Sequence, residues 1–216
     1  MKKILVLNAS QSKRALVRRL VDGLVEHIKG KASTAVTSFG DVTDAIWNYE
    51  DAGDVEYSIL YFDLKKLTYK GCIDCNYCTK HRGCMLRDDI KYMYRYFDEA
   101  DFVILGTPIY FGGTPSKLKA LIDRTQAIYH SKYTLKDSLI DREKKRFAMN
   151  ILAGGEPPTE HQFTGMKNEI EYFYRAINTT SLSYTEISNS DVYDPNEDED
   201  FKKELFCKLD ELLEMK

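Results

Sequence analysis

Short continuous apolar runs alternate with stretches in which apolar residues recur every three or four positions. Residues 4–7, 102–105 and 147–152 are runs of the first kind, as expected of strands buried on both faces. Further strands are predicted at about 55–62 and 182–187. After the first run, Leu16, Leu20, Leu24 and Ile28 fall at helical spacing, and Leu118, Leu121 and Ile122 mark a helix after the second. Helices are also predicted over about 162–177 and 200–213. Strands alternating with helices argue for an α/β, doubly wound parallel sheet with helices on both faces. Five strands suit the order 2-1-3-4-5.

The pattern lapses twice. Residues 31–54, with Trp47, stand where a short turn would suffice and read as an insertion, with a short helix at about 42–48. Residues 63–88 form a second long connection. With no repeat or interdomain linker, the expectation is a single domain over residues 1–216, carrying both excursions as loops. In such sheets ligands bind beyond the carboxyl ends of the strands. The loops following the three buried runs, residues 9–14, 108–116 and 153–158, should therefore face one crevice.

A 43% hydrophobic content is ample for one core, and no apolar stretch reaches the length of a membrane span. The short apolar run after Met1-Lys2-Lys3 is not a signal peptide, so a cytoplasmic protein is expected, with no membrane partner. The net charge of −3 argues against nucleic acid. Charge is unevenly spread, with seven Lys/Arg against two acids in residues 1–30 and ten acids against four bases in 191–216. Carboxylates favour a helix N-terminal turn, so the run 197–200 reads as the start of the closing helix. The basic residues Lys13, Arg14, Arg18 and Arg19 read as a solvated helix face or as help in holding an anion.

The densest chemistry is Cys72, Cys75, Cys78 and Cys84, spaced Cys-x2-Cys-x2-Cys-x5-Cys. Thiolates so close in sequence converge on one centre at little cost in loop-closure entropy. Zinc also takes four thiolates but more often through two separated Cys-x2-Cys knuckles. One dense run suits iron–sulfur ligation instead, and a 4Fe-4S cluster is the leading expectation; zinc and a metal-free loop are the alternatives. His27, His81, His130 and His161 show no paired ligand spacing, and Cys207 reads as half-buried in the last helix.

The string from Asp101 to Arg124, with Gly-Thr-Pro-Ile-Tyr-Phe-Gly-Gly-Thr-Pro at its centre, closely resembles the strand, flavin loop and helix of the flavodoxin-like NAD(P)H-dependent FMN reductase family. Combined with the cysteine segment and its acidic pair Asp88-Asp89, which reads as a helix cap before Tyr92, the chain resembles the iron–sulfur flavoprotein branch. That resemblance implies FMN with its ring against Pro108, Ile109, Tyr110, Phe111, Gly112 and Gly113, and against Ala153, Gly154 and Gly155. The first loop departs from the family pattern. Family members place a glycine and an Asn-Thr pair around the FMN phosphate, whereas here the loop reads Ala-Ser-Gln-Ser-Lys-Arg-Ala-Leu-Val. Phosphate contacts are then expected from Ser10, Ser12, Lys13 and Arg14, with charge replacing lost amide and hydroxyl contacts.

The resemblance implies an oxidoreductase or electron-transfer protein passing electrons between flavin and the cluster, with NAD(P)H a candidate donor and no acid–base residue required. Its partners would be a redox protein or a small-molecule acceptor. Two alternatives stand beside it, a cluster-free NAD(P)H-dependent FMN or quinone reductase and a protein of the same fold that has lost flavin. A homodimer or homotetramer is expected from the family, with the aromatic arc Tyr92, Tyr94, Tyr96 and Phe97 as a candidate surface and core packing as the other reading.

Overall fold

A computed structural model describes residues 1–12, 14–39 and 55–216. The strands are β1 (Lys2–Asn8), β2 (Thr34–Phe39), β3 (Tyr57–Asp63), β4 (Phe102–Pro108), β5 (Arg146–Ala153) and β6 (Thr179–Ile187). They form one sheet in the order β2-β3-β1-β4-β5-β6, and every neighbouring pair is parallel. The helices are α1 (Leu16–Lys31), α2 (Ile90–Glu99), α3 (Ser116–Arg124), α4 (Gln126–Tyr133), α5 (Thr164–Ala176) and α6 (Glu199–Glu214).

Side chains alternate across each strand and divide the apolar residues between two cores. Leu5, Leu7, Leu60, Phe62, Val103, Leu105 and Leu152 face α2, α3 and α5. Ile4, Val6, Ile59, Ile104, Met149 and Ile151 face α1 and α6. Central strands buried on both faces therefore read as unbroken apolar runs. At Gly106 in β4 a Cβ would stand 2.4 Å from a methyl of Val21, so the missing side chain lets α1 lie close on the sheet.

The expected five strands in order 2-1-3-4-5 are corrected to six in order 2-3-1-4-5-6. The extra strand, β2, lies in the stretch read as an insertion. It pairs only with β3, and its Val36, Thr37 and Ser38 are exposed. An edge strand of this kind lacks the apolar run that marks the others. The short helix expected at 42–48 lies outside the described residues. Helix α4 was not anticipated, whereas the acidic run does open α6, where the Asp198 carboxylate accepts from the Asp200 and Phe201 amides. Among the described residues no helix is long and apolar enough to cross a membrane.

Candidate functional site

Because all strands run parallel, the loops that follow them emerge at one edge of the sheet. After β4, the Tyr110 amide donates to the Gly113 carbonyl and the Gly113 amide to the Tyr110 carbonyl, each at 3.0 Å. Phe111 at φ 50° and Gly112 at φ 75° complete a two-residue type I′ turn. Asn-Gly is the preferred sequence for this geometry, and a bulky residue at its first centre carries strain of about 1–3 kcal/mol. Phe111 nevertheless stands there with its side chain wholly in solvent, at 112% relative exposure. The turn is fixed from behind. The Thr114 amide and hydroxyl both donate to Glu169 Oε2, at 3.0 and 2.6 Å, and a Cβ on Gly165 would lie 2.6 Å from the Gly112 carbonyl oxygen.

This turn forms one wall of an open cleft of about 1020 Å³, lined by Ile109, Tyr110, Phe111 and Gly112. Gly155, Glu156, His161, Gln162 and Asp191 face them across it. The second wall is tied down by the Gln162 amide, which donates to the Glu156 carbonyl at 3.1 Å, and by the Ser188 hydroxyl, which donates to Gln162 Oε1 at 2.6 Å. Of the residues expected at the flavin ring, Pro108 and Ala153 pair at the ends of β4 and β5. Gly113 closes the turn, and Gly154 sits beneath Ile109 and Gln162. His161 and Gln162 were not anticipated as cleft residues.

The loop after β1 is brought to the same edge but does not line this cleft. Ser10 is fully buried, its amide donates to Asn8 Oδ1 at 2.9 Å, and among the described residues its hydroxyl has no hydrogen-bond partner. Ser12 accepts the Arg14 amide on its hydroxyl and the Ala15 amide on its carbonyl. Lys13 lies outside the described residues, and Arg14 is exposed. Helix α1 starts at Leu16 with Ala15 as its N-cap, so among the described residues no side chain caps its first amides, which suit an anion. The basic cluster is otherwise engaged, Arg18 with Asp63 at 2.7 Å and Arg19 with Asp194 at 2.5 Å.

The four cysteines, all free thiols, line a second cavity of about 300 Å³ together with Asp123, Arg124, Gln126 and His130. Cys72 and Cys75 are exposed, Cys78 and Cys84 half-buried against the core. Burial and the neighbouring thiols push the Cys78 thiol above its ordinary value. Among the described residues, no group of three or more His, Cys, Asp or Glu is arranged to hold a metal ion. Arg124, 1% exposed, underlies the loop. Its guanidinium donates to the Lys70 carbonyl and Asp88 Oδ2 at 2.8 Å, to Asp88 Oδ1 at 3.0 Å and to the Leu86 carbonyl at 3.4 Å. Burial raises the Asp88 carboxyl, but the Arg124 and Lys70 hydrogen bonds outweigh it and hold the group below the usual carboxylate range.

Other expectations are decided here, and that of a half-buried Cys207 is corrected. Asp89 stands at the start of α2 but makes no capping bond, its carboxylate accepting from the Thr68 amide, while the Asp88 carboxylate serves both Arg124 and the Ile90 amide that opens α2. Of the two readings of the aromatic arc, core packing holds: Tyr94, Tyr96 and Phe97 are buried, and of the four Tyr92 alone is exposed. His81 is exposed and stacks on Tyr77, while His130, carried by the unanticipated α4, lines the cysteine cavity. Cys207 is exposed on α6.

Residues 2–138 match the family model for NADPH-dependent FMN reductase. An iron-sulfur flavoprotein of Archaeoglobus fulgidus is 31% identical over 100 residues, 44% of this chain and 48% of that protein. Another iron-sulfur flavoprotein, of Methanocaldococcus jannaschii, is 39% identical over 71 residues, 32% of this chain and 36% of that protein. The matches thus span about half or less of these relatives' lengths. Among solved structures, an NAD(P)H:quinone oxidoreductase from Methanothermobacter marburgensis superposes with a TM-score of 0.63 at 14% identity, covering 100% of this chain and 98% of that one. An FMN-dependent NADH-azoreductase from Bacillus anthracis, in complex with FMN, gives 0.62 at 16% identity over 98% and 99%. At these identities the likeness is one of fold.

Proposed function

The chain belongs to the NADPH-dependent FMN reductase family, and from that premise we propose that it is an oxidoreductase binding FMN in the cleft between the 110–113 turn and the 155–162 segment. The observation that carries this reading is the strained turn, which holds a solvent-exposed aromatic ring at the rim of an open cleft beyond the carboxyl ends of the strands. FMN, once bound, supplies the exchange of two-electron for one-electron chemistry. The chain's own residues do the rest. Tyr110 and Phe111 offer apolar surface to a flat ring, and Gly112 and Gly155 let it approach the backbone. The open α1 N-terminus with Lys13 and Arg14 receives the phosphate, in place of the Ser10 amide that Asn8 already occupies. Reduced nicotinamide is the expected donor, and a small acceptor or redox protein the expected outlet.

A second reading, that Cys72, Cys75, Cys78 and Cys84 hold a 4Fe-4S cluster, is favoured by one observation. All four line a single cavity. A bound cluster supplies one-electron transfer. The names of the curated relatives point the same way.

Flavin, iron, sulfide and zinc analysis of protein purified and reconstituted without oxygen tests both readings. FMN with NAD(P)H-dependent reduction of an added quinone is expected, and failure to bind FMN under these conditions overturns the flavin reading. Iron and sulfide in equal amounts support the cluster; FMN alone leaves a cluster-free reductase, and stoichiometric zinc excludes the cluster.

A further inference from the structure

The 71–85 stretch carries four thiols but little regular structure, only one turn of 3-10 helix at Tyr77–Thr79. Its shape is set from outside. Arg124, at the last position of α3, reaches the carbonyl two residues before Cys72 and the carbonyl two residues after Cys84, so one guanidinium ties both ends of the loop. Asp88 grips the same guanidinium with both carboxylate oxygens and also accepts the Lys70 amide at 3.2 Å. The Tyr94 hydroxyl donates to the Arg124 carbonyl at 2.9 Å and fixes the backbone that carries it. The pair is not symmetric toward the thiols. Arg124 lines the cysteine cavity and interacts electrostatically with Cys84, whereas Asp88 does not line it; Asp74 and Asp123 line it as well.

We propose that Arg124 is the positioning residue of the four-cysteine site, closing the loop from Lys70 to Leu86 into the shape that receives the cluster and facing its thiolates with a buried positive charge. This rests on the second reading above. Two consequences separate. Geometry needs the planar fork, which reaches two carbonyls and a carboxylate at once; Lys has the charge but not the fork. Charge needs only the cation: next to it the more negative, reduced state of a cluster is favoured, so removing it drives the potential down.

The experiment compares the parent with Arg124→Lys and Arg124→Met, each reconstituted anaerobically with iron and sulfide. Both variants should load several-fold less iron and sulfide per chain than the parent. In the loaded fraction, Arg124→Lys should hold the parent's cluster potential. Arg124→Met should shift the one-electron equilibrium tenfold toward the oxidised state, about 59 mV downward. FMN binding at the other cleft reports that the fold is kept. For a variant too unstable to load, alkylation of the cluster-free proteins read by mass spectrometry provides the second measurement. The half-buried Cys78 and Cys84 should react more slowly than Cys72 and Cys75 in the parent, and the difference should vanish without Arg124.

Parent stoichiometry and parent potential in both variants overturn the proposal, as does an unchanged alkylation order in both. A parent that takes up no iron overturns the cluster reading itself, and is told apart from the first outcome because the variants are then not needed.

Discussion

The two cavities are built by opposite means. Around the β4 turn the backbone does the building: two reciprocal hydrogen bonds and two positive φ angles hold four residues in one shape. Around the cysteines the backbone is nearly formless, and side chains from elsewhere, Arg124, Asp88 and Asp89, impose the shape. The first region stores local strain and presents a finished surface. The second is a long loop whose closure depends on one buried ion pair, the more vulnerable design because removing either partner leaves a charge without compensation. Loading of the two sites should therefore fail under different perturbations.

Asp88→Asn gives the largest expected effect. It leaves Arg124 buried with its carboxylate partner gone, at a cost of about 3 kcal/mol, the low end for broken buried pairs because Asp88 keeps some contact with water. The sign of the pH dependence follows from a carboxyl held below its usual range. Its contribution is complete above the unfolded carboxylate value and is lost as pH falls through the lower, folded one. Urea unfolding across the acid range should show the parent losing its advantage over the variant at low pH; a constant gap would refute the assignment.

The turn should respond in the opposite sense. Phe111→Asn creates the Asn-Gly pair that a type I′ turn prefers, and the fully exposed ring has no burial to lose. Stability should rise by about 1 kcal/mol while FMN affinity falls. Gly112→Val places a β-branched residue at φ 75° and should lower both. Thermal melts with flavin titrations decide this, and a Phe111→Asn variant no more stable than the parent would show that the turn is unstrained.

The smallest effect belongs to the β1 loop, where contact by amides is partly closed. FMN should bind more tightly than riboflavin at low ionic strength, by a margin that shrinks as salt rises. Lys13→Ala with Arg14→Ala should reduce that margin severalfold. Fluorescence titration of both flavins reads it, and a margin indifferent to salt would assign the phosphate to the α1 amides alone.

The contrast between the two regions also explains what the sequence made legible. Strands β1, β4 and β5 announced themselves because burial on both faces demands continuous apolar runs, and the Tyr-Phe-Gly-Gly stretch because tight turns leave a compositional trace. β2 stayed hidden since an edge strand has no such demand on it. Tyr94, Tyr96 and Phe97 read as too wide an arc for one buried stripe, but α2 is buried on more than one side: Phe62 of β3 packs on Tyr96, Phe173 of α5 meets Phe97 edge-on, and the Tyr94 hydroxyl donates to the Arg124 carbonyl at the end of α3. Arg124 was missed although a signal existed. It continues the buried stripe of Leu118 and Leu121 at a spacing of three, and a cation on an apolar stripe must have a partner. That partner, Asp88, lies 36 residues away, and its place before α2 points to helix capping, which hides the longer-range role.

Helix α3 begins two residues after Thr114, which braces the turn, and ends at Arg124, which braces the cysteine loop. Its nine residues therefore act as a ruler of about 13 Å between the supports of the two cavities. Electron exchange slows steeply with separation, so in a chain holding both groups this one segment would set the tempo of their traffic. Each residue added to it would lengthen the step by about 1.5 Å and rotate the cysteine end by about 100°. Neither cavity's own residues would change, and yet the two would fall out of step.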